Sequence, residues 1–156
     1  MQKTTTCLWF DNNAEEAVDL YTSIFKNSKV LEVARYGEAG PGPEGSVLTM
    51  RFQLEDQEFM ALNGGPQFKF TEAISLSVDC QSQKEVDELW ENLSADPEAE
   101  QCGWLKDKFG LSWQIVPRAL PELLGDPDPE KSRRVMEAML KMKKIDVKAL
   151  QEAYAG

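Results

Sequence analysis

Apolar and polar positions alternate along this chain in short runs and recur at helical spacing in longer ones. Residues 4–10 place Thr6, Leu8 and Phe10 on one side and Thr5, Cys7 and Trp9 on the other, which predicts a first strand. Asp11, Asn12 and Asn13 follow, with acceptors for the free N–H groups of a helix. That helix is predicted over residues 14–25, where Ala14, Ala17, Val18, Tyr21, Ile24 and Phe25 share a face. Residues 30–36 read as a second strand. The glycine- and proline-rich run 37–45 reads as a loop, either a plain mobile connection or a lid over a site. In residues 47–54, Leu48, Met50, Phe52 and Leu54 oppose Thr49, Arg51 and Gln53. A turn at Glu55, Asp56 and Gln57 leads to a strand over 58–63, in which Met60 and Leu62 oppose Phe59, Ala61 and Asn63.

The second half repeats this order. A strand over 73–78 sets Ile74, Leu76 and Val78 against Ala73, Ser75 and Ser77. Ser82 is placed to cap a helix over 84–93 striped by Val86, Leu89, Trp90 and Leu93. Strands follow at 103–106 and 111–116, with a further short one just ahead of Gln101. Along 111–116, Trp113 and Ile115 suit a helix-packed core, whereas Ser112, Gln114 and Val116 face the other way. Pro117 ends the strand because it has no N–H for a ladder.

The pattern predicts an α+β fold of two βαβββ modules, residues 1–66 and 71–117, within one domain spanning 1–117. They form a curved mixed sheet around a cup, with the helices on the outer face. A C-terminal helical extension, 118–156, carries helices at 129–143 and 145–154, the latter opened by Asp146. Neither helix is long enough to stand alone, so both dock, on their own domain or on a second subunit.

Charge and composition narrow the partners. The chain has 156 residues and a net charge of −10, which argues against nucleic acid and anionic membrane surfaces. No run approaches the ~20 apolar residues of a membrane span. The N-terminus lacks a signal-peptide pattern, and Cys7, Cys80 and Cys102 show no CxxC spacing. A cytoplasmic protein with reduced thiols is expected. Histidine is absent. This excludes histidine-based triads, HExxH zinc sites and facial triads built on imidazole.

The cup-facing candidates for ligand binding are Cys7, Trp9, Thr49, Arg51, Asn63, Ser75, Ser77 and Gln114, with Trp104 nearby. Arg51 could hold a carboxylate or phosphate bidentately, or pair with one of many acidic neighbours. Cys7 has no histidine to activate it and reads as a structural thiol. Trp9 and Trp104 either stack on a planar ligand or pack. Gln114 and Asn63 either bond a ligand carbonyl or satisfy one another through water. Asp107 caps the turn at Phe109 and Gly110.

Three stretches, TTCLWFDNNAEEAVDLYTSIF, ISLSVDCQSQKEVDELWENL and QCGWLKDKFGLSWQIVP, together with the closing DPEKSRRVMEAMLKMKKIDVKALQEAYAG, resemble the PhnB-like family. That family is named after demethylubiquinone methyltransferase and belongs to the glyoxalase / bleomycin resistance / dioxygenase (vicinal oxygen chelate) superfamily. The resemblance implies paired βαβββ modules, a cup and a homodimer. Metal-dependent relatives draw ligands to one divalent cation from four strand positions, which fall here at Thr5, Ala61, Ala73 and Gln114. Two alanines, a threonine and a carboxamide are poor ligands, so no catalytic metal is expected. A methyltransferase using S-adenosylmethionine would usually carry a glycine-rich strand-to-helix turn, and the cluster at Gly64 and Gly65 leads into Pro66 with no helix. No cofactor motif and no catalytic residue can be assigned. Three readings follow: metal-independent binding of a small molecule, an enzyme (methyltransferase by family name, or lyase or isomerase), and a dimeric scaffold working through its helical tail.

Overall fold

The computed structural model describes residues 2–156 and resolves into two compact units, one ending at Phe70 and one running from Thr71 to Gly156. The first contains β1 (Thr6–Phe10), α1 (Ala14–Ile24), β2 (Lys29–Arg35), β3 (Val47–Leu54) and β4 (Gln57–Asn63). Its sheet runs β1-β4-β3-β2, with β1 parallel to β4 and the other pairs antiparallel. The register sets Leu8 beside Ala61, Phe10 beside Asn63 and Phe52 beside Phe59, so these side chains share one face. That face and α1 supply the first unit's buried apolar residues, among them Phe52, Ala61, Ala17, Val18 and Tyr21, all at 0% exposure.

The start of α1 departs from expectation. Asn13 occupies the N-cap position but makes no side-chain cap, because its backbone (φ −117°, ψ 26°) is not extended as capping requires. Asn63, from the end of β4, takes the role instead: its Oδ1 accepts from the Ala14 amide at 2.9 Å. The edge strand β2 carries register irregularities near Val30 and Ala34, a device that discourages edge-to-edge pairing. The loop after it wraps the Tyr36 ring. A Cβ on Gly40 or Gly42 would sit 2.6 or 2.4 Å from ring carbons, so glycine permits this approach.

The second unit contains β5 (Ser75–Cys80), α2 (Gln83–Leu93), β6 (Trp104–Lys106), β7 (Ser112–Pro117), α3 (Ala119–Leu124), α4 (Pro129–Leu140) and α5 (Val147–Ala155). Its sheet runs β5-β7-β6, with β5 parallel and β6 antiparallel to β7. The protein is thus mixed α+β, with sheets of four and three strands, and neither sheet closes on itself. The strand expected at 73–78 starts two residues later, and Ile74 is 65% exposed ahead of it.

The strand expected just ahead of Gln101 is replaced by a 3₁₀ turn, Pro97–Ala99, and an isolated bridge between Gln101 and Trp104. Pro97 has no N–H for a ladder, and the Asp96 carboxylate accepts from the Glu98 amide, favouring a turn. Backbone hydrogen bonds join this segment to β6 at its two ends. Ala95 N donates to Lys106 O at 2.9 Å, Gln101 N donates to Trp104 O at 3.1 Å, and the chain arches away between them.

The tail docks within its own unit. Leu120, Val135, Ile145 and Leu150 are buried together, with Val116, Leu123, Met139 and Tyr154 against them. Gln83 of α2 holds the entry to α5: its Nε2 donates to Ile145 O at 3.0 Å, and its Oε1 accepts from Val147 N at 2.7 Å. Lys144 pairs with Asp87 at 2.8 Å. The caps expected at Ser82 and Asp146 both form.

Candidate functional site

In each unit the sheet face turned from the buried core carries the polar candidates. On the first sheet, Cys7 and Trp9 of β1 lie level with Met60 and Leu62 of β4, and Thr49 and Arg51 of β3 continue the face. Most of these groups are committed within the unit. Trp9 Nε1 donates to Gly65 O at 2.9 Å, Phe68 meets the indole edge-on at 4.9 Å, and Gly64 lies so close that a Cβ would be 2.4 Å from the ring. Trp9 therefore pins the chain leaving β4.

Arg51 is bracketed by Glu32 at 2.8 Å and Glu58 at 2.9 Å. The hydrogen bonds and charges of Glu58 and then Glu32 push its pKa up. An incoming anion would have to displace one of these carboxylates. Desolvation pushes the Cys7 thiol above its ordinary value, so little thiolate is present near neutrality.

Asn63 does not join these residues. The β1–β4 register places it with Phe10 on the helix-packed face, 9% exposed. Its Oδ1 caps α1, and its Nδ2 donates to Glu15 Oε1 at 3.0 Å and Val47 O at 3.1 Å. Cup-side alternation counted from Met60 and Leu62 would have excluded it; the sequence cannot say which side of β4 faces the helix, because Phe59 and Met60 are equally apolar.

The second sheet brings Ser75, Ser77, Trp104 and Gln114 onto one face, level with Lys106 and Ser112. Gln114 Nε2 donates to Ser75 Oγ at 3.0 Å, and Ser77 is exposed. A cavity of about 250 Å³ opens here, between β6 and the arch. Trp104, Lys106 and Ser112 line its strand side; Asp96, Glu98 and Ala99 line its arch side, with Glu72 at the margin. Lys106 forms an ion pair with Glu72, whose carboxyl is held below its ordinary value chiefly by that hydrogen bond. The hydroxyl of Ser112 is buried and has no hydrogen-bond partner among the described residues, although the residue is only 1% exposed.

Sequence reasoning missed Lys106, Ser112, Asp96 and Glu98. The signal for the first two was available, since Ser112 shares its strand face with Gln114. The arch carboxylates become neighbours of that face only because the expected strand is absent.

Asp107 is a structural residue of the most distinctive motif. It is 3% exposed; its Oδ1 accepts from Phe109 N at 2.9 Å and Leu111 N at 3.0 Å, and its Oδ2 accepts from Trp113 Nε1 at 2.9 Å. The turn cap was legible in the sequence, whereas the bond to the core tryptophan was not.

The residues do not fit the divalent metal that metal-dependent proteins of this fold hold at four strand positions. Ala61 lies on the helix-packed face at 0% exposure, Ala73 lies in a turn ahead of β5, and Gln114 already bonds Ser75. Among the described residues no group of three or more His, Cys, Asp or Glu is placed to hold an ion.

A strand-helix-strand module is used twice, and each sheet is backed by one helix and turns a polar face away from it. The family described as 3-demethylubiquinone-9 3-methyltransferase matches residues 2–116, and the chain belongs to that family. The match stops ahead of α3, so the helical tail lies outside it. The PhnB protein from Bacillus cereus is 40% identical, covers 74% of this chain and 99% of its own, and superposes with a TM-score of 0.64. Two more distant structures share the fold. A Pseudomonas aeruginosa protein is 19% identical over 75% of this chain and 98% of its own, with a TM-score of 0.58. A glyoxylase/bleomycin resistance protein/dioxygenase domain from Frankia sp. EAN1pec is 15% identical over 75% and 92%, with a TM-score of 0.50. A search of curated proteins gave no match. Among the described residues no helix is long and apolar enough to cross a membrane.

Proposed function

We propose that this member of the family binds a small organic molecule without a metal, in the cytoplasm and as a homodimer. The observation that carries the reading is the cavity of about 250 Å³ on the second unit's polar sheet face, walled by Trp104 and Lys106. Thr49, Ser75, Ser77 and Gln114 add polar contacts on the two open faces, whereas Cys7, Trp9 and Arg51 serve mainly to shape the first one.

The enzyme reading rests on the family's description as a methyltransferase. Neither strand-to-helix turn that begins a module, Asp11-Asn12-Asn13 or Gln81-Ser82, contains the glycines a dinucleotide-type cofactor loop uses. The test is a ligand-observed NMR screen of dialysed protein against a metabolite library, with elemental analysis and an S-adenosylmethionine titration run in parallel. Binding of a metabolite by metal-free protein, weakened in Trp104→Ala, is the expected result. Stoichiometric metal, or saturable S-adenosylmethionine binding, would overturn the reading.

A further inference from the structure

We infer that Asn63 is a latent modification site: the folded first unit shields it from spontaneous deamidation, and its conversion once the end of β4 opens makes that opening permanent. The inference is independent of what the protein binds. Asn63 and Gly64 form the one Asn-Gly dipeptide in the chain. A glycine after asparagine puts no side chain in the way, so its amide nitrogen can approach the asparagine Cγ. Two tertiary contacts fix this dipeptide. The Asn63 carboxamide is used at both ends: Oδ1 accepts from Ala14 N at 2.9 Å, and Nδ2 donates to Glu15 Oε1 at 3.0 Å and Val47 O at 3.1 Å. Gly64 has no room for a side chain, since a Cβ would lie 2.4 Å from the Trp9 ring. The labile pair is thus a by-product of packing at the end of β4.

The same contacts hold the reaction off. Asn63 is 9% exposed, and the Gly64 amide, which must attack Cγ, donates to Phe10 O at 2.9 Å. Gly65 N donates to Asp11 O at 3.0 Å, and Trp9 Nε1 donates to Gly65 O at 2.9 Å, so the next residue is held as well. When this end opens, the Gly64 nitrogen is free to bond to Cγ. The Cγ–Nδ2 bond then breaks, and Nδ2 leaves as ammonia, taking the proton of the Gly64 amide. Water opens the cyclic imide at either carbonyl and gives aspartate or isoaspartate; no oxidant or cofactor is consumed. Neither product refits. Aspartate can still accept from Ala14 N, but its second oxygen faces Glu15 Oε1 and Val47 O, acceptors with no donor between them. Isoaspartate adds a backbone carbon, which displaces Gly64 from Phe10 O and from the Trp9 ring. Opening is reversible before this step and irreversible after it, so the working lifetime follows how often the end of β4 opens.

The test holds the full chain in mildly alkaline buffer, either native or in guanidinium chloride, and follows the gain of about 1 Da at Asn63 by peptide mass mapping. A third sample, in mildly acidic guanidinium chloride, keeps the Gly64 amide protonated and serves as the unmodified control. All three are then returned to native buffer, and refolding is read by circular dichroism and tryptophan fluorescence. The denatured alkaline sample should gain mass at Asn63 at least about tenfold faster than the native one, and its refolded fraction should fall in step, whereas the acidic sample should refold fully. Trp9→Phe keeps a ring but loses the donor to Gly65 O, and should quicken deamidation of otherwise native protein about threefold or more. Asn63→Asp, made directly, should unfold at a lower denaturant concentration than wild type. The inference is overturned if native and denatured chains deamidate at the same rate, if another asparagine converts first, or if the modified fraction refolds as fully as the control. It is equally overturned if Asn63→Asp is as stable as wild type; an unchanged rate in Trp9→Phe would remove Trp9 from the shield.

Discussion

Replacing Asp107 with alanine should damage the second unit more than any surface change. The carboxylate satisfies the amides of Phe109 and Leu111 and the indole N–H of Trp113. Phe109 is half-buried, so water can reach its amide after the change. Leu111 and Trp113 are 2% and 1% exposed, and their donors would be stranded. Each stranded donor costs about 1–3 kcal/mol, so losing partners for two of them is expected to cost Asp107→Ala about 2–6 kcal/mol. That is a large share of the ~5–15 kcal/mol that stabilises a typical domain. Asp107→Asn keeps one oxygen for the two amides but turns its NH₂ toward the indole N–H, and should lose about 2 kcal/mol. Trp113→Phe removes the donor, and the cycle with Asp107→Asn should show a coupling of about 1–3 kcal/mol. Urea unfolding followed by circular dichroism and tryptophan fluorescence measures all five proteins, wild type, the three single variants and the double variant. An Asp107→Ala unfolding free energy within about 1 kcal/mol of wild type, at unchanged m, would refute the assignment of Asp107 as the anchor of this turn.

Gln83→Ala should loosen the tail alone: amide exchange across 147–155 is expected to quicken about tenfold while β7 stays protected, read by hydrogen-exchange mass spectrometry. Acid should loosen the same region first. Asp87, Asp126 and Glu130 are held below their ordinary values of 3.8, 3.8 and 4.5, chiefly by hydrogen bonds from Lys144, Tyr154 and Arg133 respectively. A depressed folded-state pKa adds stability above the unfolded value and loses it as pH falls through the folded one, so the tail should weaken below about pH 4.5, modestly because these groups are exposed. Burial, reinforced by the charges of Glu85 and Asp79, pushes the Cys80 thiol up to about 12, so native protein should leave Cys80 unalkylated at pH 8 while urea exposes it.

Much of this protein is written locally. The alternation that separates Leu8 and Phe10 from Cys7 and Trp9, the stripe of α1, and the caps at Ser82 and Asp146 depend on neighbours within a few residues, and all are present in the fold. Local pattern also assigned the α+β class, because period two and period 3.6 are properties of short segments. Other features depended on contacts between distant residues. Asn63 lies 49 positions from the amide it caps, and nothing near it in sequence marks that role. Arg51 looked free to grip an anion until the fold set Glu32 and Glu58 on either side of it.

The docking of the tail on its own unit was likewise undecidable from amphipathic spacing, which says that a helix must bury a face but not against what. The cavity is the clearest case. Its strand wall could be read from the alternation of Ser112 and Gln114, but its arch wall could not, since it exists only because Pro97 and Asp96 turn the chain away from a sheet edge that pattern alone had filled with a strand. The sequence by itself determined which residues alternate, cap and turn; tertiary structure decided which polar groups found partners, because partnership is set by the register and packing of segments far apart in the chain.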